Sequence, residues 1–200
     1  EGITRGVHIV GDVMLDVLNW ARPRAEALAP EILGRLGLTA GHYVLATIHR
    51  SENTDDGRRL AEILEGLNAV AGQVVFPVHP RTRKAMARSE MRPGPNIRMI
   101  EPVGYLEMAA LSRSARMLMT DSGGLQKEAY WLGVPCLTLR DETEWVETVE
   151  AGWNKLVGAD HGRIAGAAAS FAPPASRPPL YGDGDMASKC LRLLEESEGD

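Results

Sequence analysis

Ala115-Arg116-Met117-Leu118-Met119-Thr120-Asp121-Ser122-Gly123-Gly124-Leu125-Gln126-Lys127-Glu128 is the stretch from which the rest of the chain can be read. Ala115 to Met119 is a short apolar run with the character of a strand buried on both faces, as in a parallel sheet. Leu125 to Leu132 comes next as an amphipathic helix, stopped by Gly133 and Pro135. Strand, small-residue turn and helix in that order make a phosphate-binding geometry. Gly123 and Gly124 let a ligand approach the backbone, and Ser122 offers a hydroxyl. The unpaired N–H groups of the helix start carry partial positive charge. Glu128, one turn further in, is placed to accept hydrogen bonds from the vicinal hydroxyls of a ribose. The same residues also read as an Asp/Ser cap on an ordinary helix, so the motif must be weighed with its surroundings.

The surroundings are those of a globular domain. The chain has 200 residues, 44% hydrophobic and 24% charged, enough to bury a sizeable core. A formal net charge of -5 argues against a general nucleic-acid-binding surface. No apolar run is long enough to span a bilayer, and none is expected to act as a signal peptide. Cys136 and Cys190 have neither metal-site spacing nor the pattern of a disulfide framework, which suits a reducing cytoplasm. The chain opens Glu1-Gly2-Ile3 without a Met, as a domain taken from a longer protein would.

Seven strands are expected: Val7–Val10, Tyr43–Ile48, Val74–Val78, Ile97–Ile100, Ala115–Met119, Cys136–Leu139 and Lys155–Val157. Helical patterns separate them, over Val13–Trp20, Pro23–Leu36, Asp55–Ala71, Arg81–Arg88, Tyr105–Ser112, Leu125–Leu132, Glu144–Ala151 and Ala159–Phe171. This alternation predicts βαβ units: an α/β, Rossmann-like parallel sheet with helices on both faces. Residues 1–172 make that domain. Residues 173–200 read as a Pro/Gly-rich crossover followed by a terminal helix, Met186–Leu194, that docks back onto the structure.

Ligands of such sheets bind outside the carboxyl ends of the strands, and the distinctive residues fall there. His49-Arg50 comes after the second expected strand and His79 after the third. Ser122-Gly123-Gly124 comes after the fifth, and Arg140-Asp141-Glu142-Thr143-Glu144 after the sixth. Two histidines facing a phosphate cradle are less easily set aside than one.

Taken together, these segments resemble the C-terminal half of the non-hydrolysing UDP-N-acetylglucosamine 2-epimerases. The likeness runs from Val7–Asp12 through Thr47–Asn53, Pro77–Pro80, Thr120–Glu128, Gly133–Pro135 and Arg140–Glu147 to Gly152–Asn154 and Tyr181–Gly184. The resemblance implies the second, nucleotide-holding half of a GT-B-type two-domain fold, with 173–200 packing toward an N-terminal domain absent from this chain. It implies interconversion of UDP-GlcNAc and UDP-ManNAc, in which UDP is eliminated across C1–C2 and re-added after the sugar turns over. By position, Ser122, Gly123 and Gly124 would hold the diphosphate, Glu128 the ribose, and the main chain near Met108 the uracil. His49 would assist departure and return of UDP, and Arg140 would add positive charge. Arg50 and His79 match positions at which relatives bind a second, allosteric UDP-GlcNAc. Members are commonly homodimers. No metal or cofactor is implied, since the reaction is neutral in electrons and water. The acidic residues for proton transfer at C2 lie mostly in the first domain, so this chain by itself would bind UDP without completing the reaction.

Where many bacterial relatives have Arg-Pro after Thr143-Glu144, this chain has Trp145-Val146, which leaves the N-acyl sugar open between GlcNAc and a diacetamido-uronic acid. Glu144 is a further candidate site residue, although Glu142, Glu144 and Glu147 also suit a solvated acidic helix start. Trp153 is read as packing, His8, His42 and His161 as structural or surface, and Asp12 with Asp16 as helix caps rather than a metal pair. A GT-B glycosyltransferase domain, a hydrolysing epimerase and a non-catalytic nucleotide-sugar-binding module are the competing readings.

Overall fold

The computed structural model describes residues 2, 4, 6–88 and 91–197; the last three positions of the expected 173–200 segment lie outside it. Six strands, β1 (Tyr43–Thr47), β2 (Gln73–Pro77), β3 (Ile97–Ile100), β4 (Met117–Thr120), β5 (Cys136–Thr138) and β6 (Asn154–Leu156), form one sheet. Every pairing is parallel and the order is β3-β2-β1-β4-β5-β6. The Rossmann-like fold expected from the alternation is the one observed.

Side chains of each central strand alternate between two cores. Val44, Ala46, Met117 and Met119 point to one face, where α3 (Gly57–Asn68), α4 (Pro80–Arg88) and α8 (His161–Ser170) cover them. Tyr43, Leu45 and Leu118 point to the other, under α1 (Val13–Arg35), α5 (Tyr105–Ser114) and α6 (Gly123–Leu132). Burial on both faces explains why β1 and β4 read as unbroken apolar runs rather than alternating ones. Two further helices are short, α2 (Ser51–Thr54) after β1 and α7 (Val146–Glu150) before β6, and α9 (Met186–Ser197) comes last.

Two expectations are corrected. Val7–Val10 is extended but joins no strand, and Val7 and Ile9 are 60% and 101% exposed. Its β-branched residues fit a pleated surface, yet strand formation needs a ladder partner. The segment instead leads to Gly11, which lies against Gly182, and a Cβ on Gly182 would come within 2.8 Å of the Gly11 Cα. Both glycines have positive φ, 110° and 98°. The two helices expected between residues 13 and 36 are one, continuous through Pro23 and Pro30. Both prolines sit on the exposed side, where the carbonyls they deprive of partners reach water, while Ala21, Ala25 and Ile32 bury the opposite side.

Asp12 caps α1 by accepting from the Met14 amide at 2.8 Å. Asp16 caps not its own helix but α9, accepting from the Met186 and Ala187 amides at 3.2 and 2.9 Å. The terminal helix is thereby fixed against α1. Among the described residues no helix is long and apolar enough to cross a membrane.

The close approach of α3 and α8 gives a stability prediction. A Cβ on Gly66 would lie 2.7–2.9 Å from three side-chain atoms of the fully buried Ile164. Overpacking of about 1–3 kcal/mol outweighs the ~1 kcal/mol that Ala gains over Gly in a helix. Gly66→Ala should therefore lower the denaturant midpoint, whereas an unchanged or raised midpoint would show that the interface has slack.

Candidate functional site

The strand order reverses direction between β1 and β4, and the crevice beyond their carboxyl ends is where doubly wound sheets hold ligands. A cavity of about 380 Å³ occupies it. His49, His79, Met108, Ser122, Gly124 and Glu128 line it, together with Met14, Thr47, Pro102, Val103 and Tyr105. Six of the residues singled out in the sequence, carried by four different loops or helices, thus share one volume.

The register explains the convergence. Thr47 pairs with Thr120, their hydroxyls 2.6 Å apart, so both chains leave the sheet side by side. The residue after β4 is Asp121, fully buried, and it organises the loop that leaves β1. Its carboxylate accepts from the amides of His49 (3.0 Å) and Arg50 (2.9 Å) and from the Asn53 side chain (3.1 Å). Nδ1 of His49 lies 3.1 Å from the same carboxylate. Burial works to raise the Asp121 pKa, but the hydrogen bonds from the His49 ring and the Arg50 amide hold it below the ordinary value. An ionised Asp121 fixes Nδ1 as the donor and leaves Nε2 of His49 for the ligand side. The His79 ring packs 5.7 Å away, its own Nδ1 accepting from the Arg81 amide at 3.2 Å.

Ser122 is the N-cap of α6, its Oγ accepting from the Leu125 amide at 3.4 Å. The expected helix therefore begins two residues earlier, at Gly123. Among the described residues the Gly123 and Gly124 amides have no hydrogen-bond partner, which leaves them as donors at the positive end of the helix. Ser122 caps through one lone pair and still lines the cavity.

Glu128 is only 7% exposed. The Tyr105 hydroxyl donates to it at 3.1 Å. Desolvation raises its pKa despite that hydrogen bond and the nearby Lys127 charge. A carboxylate short of water beside a cavity is an acceptor awaiting donors.

The loop after β5 is placed differently from the cavity residues. Arg140 is nearly buried, and its two terminal nitrogens donate to Glu144 at 2.8 and 2.9 Å. That pairing draws the Glu144 pKa down to about 2. Neither residue lines the cavity, nor do Arg50 and Gly123. Arg140 pairs with Glu144, and Nη2 of Arg50 would lie 3.5 Å from a Cβ on Gly123. Trp153 packs edge-on against Tyr130 and donates to the Ser176 carbonyl, as a packing residue does. The carboxylate of Glu62 accepts from the His161 amide and contacts its ring at 2.7 Å, bridging α3 and α8 away from this crevice.

Sequence reasoning passed over Asp121, read only as a cap, and Tyr105. The signal for Asp121 was its place one residue past the strand end, beside the residue that precedes His49.

Fold and cavity together define an α/β domain with a cavity at its topological switch point. The family profile described as UDP-N-acetylglucosamine 2-epimerase matches residues 1–195, and the chain belongs to that family. A UDP-N-acetylglucosamine 2-epimerase homolog of Methanococcus maripaludis is 44% identical over 97% of this chain and 56% of its own length. The UDP-2,3-diacetamido-2,3-dideoxy-D-glucuronate 2-epimerase of Pseudomonas aeruginosa is 41% identical over 92% and 51%. The crystal structure of the Methanocaldococcus jannaschii UDP-GlcNAc 2-epimerase in complex with UDP-GlcNAc and UDP superposes with a TM-score of 0.85, at 32% identity, over 98% of this chain and 56% of that one. The chain spans about half the length of the curated relatives it matches.

Proposed function

We propose that this chain is the nucleotide-holding part of a non-hydrolysing UDP-N-acylhexosamine 2-epimerase. The observation that carries the reading is the single cavity into which His49, Met108, Ser122, Gly124 and Glu128 all face. UDP lies with its diphosphate on the Ser122-Gly123-Gly124 turn, its ribose hydroxyls on Glu128 and its uracil against the main chain near Met108. The sugar then extends past His49 toward the part of the protein beyond this chain, which supplies the groups that exchange the C2 proton.

The chemistry suits such a division. C2–H is barely acidic, so breaking the C1–O bond depends on stabilising the departing diphosphate as much as on a base. The Gly123 and Gly124 amides and the α6 dipole provide fixed positive potential where that charge develops. His49, with Nδ1 held by Asp121, presents Nε2 to accompany UDP out and back. Elimination takes a proton from C2 and the electron pair of C1–O to UDP. Re-addition of UDP and a proton on the other face inverts C2 with no water consumed. The working protein is a cytoplasmic homodimer, residues 173–200 pack toward its first domain, and Arg50 and His79 contribute to a second nucleotide-sugar site.

Calorimetric titration with UDP, GDP and dTDP tests the reading. UDP should bind preferentially, and Glu128→Ala and Ser122→Ala should each weaken it by roughly tenfold or more, the scale of a hydrogen bond to a charged group. Because the Glu128 pKa is raised, its acceptor is lost on acidification above the ordinary carboxylate range, so UDP affinity should begin to fall there. Absence of nucleotide binding by the wild type, or indifference to both substitutions, would sink the assignment. With the full-length protein, UDP-ManNAc formed from UDP-GlcNAc without free ManNAc separates epimerisation from hydrolysis.

A further inference from the structure

One side-chain amide ties together the ends of three neighbouring strands. Asn53, on the single turn of α2, is fully buried. Its Nδ2 donates to Oδ2 of Asp121 at 3.1 Å, just past β4, and to the Leu139 carbonyl at 2.9 Å, just past β5. Helix α2 itself follows β1, and β1, β4 and β5 lie side by side in the sheet. Both partners of Nδ2 are acceptors, so Oδ1 of Asn53 faces the opposite way. There Nε of Arg59 donates to it at 3.3 Å.

Arg59 stands in the first turn of α3. Its terminal nitrogens donate to Asp141 at 2.9 Å and to Glu52 at 3.2 Å. Those two carboxylates are 59% and 46% exposed, so the pairs add little stability, but they fix where the guanidinium points. Helix α2 has no side-chain cap of its own. The turn from His49 to Thr54 therefore depends on this inner set of hydrogen bonds.

What the set controls is the plane of the Asp121 carboxylate. Oδ2 accepts from the Arg50 amide at 2.9 Å and from Asn53, while Oδ1 faces Nδ1 of His49 at 3.1 Å. A carboxylate anchored at one oxygen presents the other in a fixed direction. The imidazole that donates to it is then fixed in tautomer and orientation, and each bond of such a chain strengthens the next.

We propose that Asn53 and Arg59 are positioning residues for His49, acting through Asp121 to keep Nδ1 protonated and Nε2 free for the ligand. Neither lines the cavity. This inference rests on the nucleotide reading above and names the residues that hold its histidine in place.

Nitrogen NMR of the His49 ring, assigned by its loss in His49→Gln, reads the tautomer with no ligand present. At a pH where the ring is neutral, the wild type should show Nδ1–H alone. Asn53→Ala releases Oδ2 of Asp121, so both tautomers should appear. In the full-length protein its kcat should fall roughly tenfold with KM changed by less than about twofold, the scale of one hydrogen bond to a charged group. Arg59→Met keeps the stem, and should give a smaller change of the same kind, about threefold in kcat. Mixed tautomers already in the wild type overturn the inference. So does Nδ1–H alone in both variants with kcat unchanged and only stability lowered, a result that leaves the nucleotide reading to the UDP titrations. A shifted tautomer with unchanged kcat supports the positioning and removes His49 from the reaction. Should Asn53→Ala not fold, Arg59→Met decides alone, since its side chain is 25% exposed.

Discussion

Asp121→Ala is expected to lower the unfolding free energy by about 3–5 kcal/mol, the scale for removing one partner of a buried charged network. The carboxylate is fully buried and gathers two backbone amides, the Asn53 side chain and the His49 ring. Truncation leaves the buried Asn53 amide and the part-buried His49 and Arg50 N–H groups without their acceptor, and each stranded donor adds its own desolvation cost. Asp121→Asn keeps the shape but offers one acceptor oxygen and turns an N–H₂ group toward donors, so a loss of about 2 kcal/mol is expected. Urea unfolding of the two variants measures both. The pH dependence sharpens the test. The folded-state pKa of Asp121 is held below that of the unfolded chain. Its contribution is therefore complete above the unfolded value near ~3.9 and disappears only as pH falls through the lower folded value. Wild type and Asp121→Asn should differ undiminished from neutrality down to about pH 4 and converge below it. A gap that closes nearer neutrality would mean that Asp121 is not the ionised centre of the loop. If His49 serves the departing UDP, the Asn variant should also lose turnover in the full-length protein, because an amide cannot hold Nδ1 as a dedicated donor.

How much of this was legible in the sequence depended on the range of the interaction. The βα alternation, the six sheet strands and the positions of His49, Ser122 and Glu128 at the carboxyl edge come from local patterns, since each strand's apolar run is bounded by its own turn residues. Val7–Val10 misled because β-branched content reports fitness for a sheet and not the presence of a neighbour to pair with. Pro23 misled because its cost depends on which side of the helix faces water, and tertiary burial of Ala25 and Ile32 settles that. The role of Asp121 needed the register of β1 on β4, a pairing across 73 positions. The pairing of Arg140 with Glu144 was within reach, being four residues apart. Positive charge near a glycine-rich turn suggests a ligand contact first, and the three-dimensional arrangement adds that Arg140 also donates to Glu144.

Lys127 and Glu128 are neighbours on α6 and lead in two directions, Glu128 into the cavity and Lys127 to Asp12 and the ring of Trp145. Lys127 has a side chain only 5% exposed, and its charge is met by one carboxylate and three aromatic faces. Lys127→Met keeps the stem and removes the ammonium. It should cost about 2–4 kcal/mol, because Asp12 is left with an unmatched charge and Trp145 loses its cation–π partner. Asp12→Asn alone should cost about 1–2 kcal/mol, since an amide oxygen still caps α1. The double variant should lose less than the sum by about 1–3 kcal/mol, the coupling of a directly paired couple. Strict additivity in such a cycle would mean that the two groups do not stabilise each other, and Trp145 would then need another clamp. The consequence for binding separates position from mere stability. The Lys127 side chain does not line the cavity, but its charge acts on Glu128, which does. Lys127→Met should therefore raise the Glu128 pKa further and move the acid fall in UDP affinity to higher pH. An unmoved pH profile would mean that the Lys127 charge serves Asp12 and the aromatic rings alone.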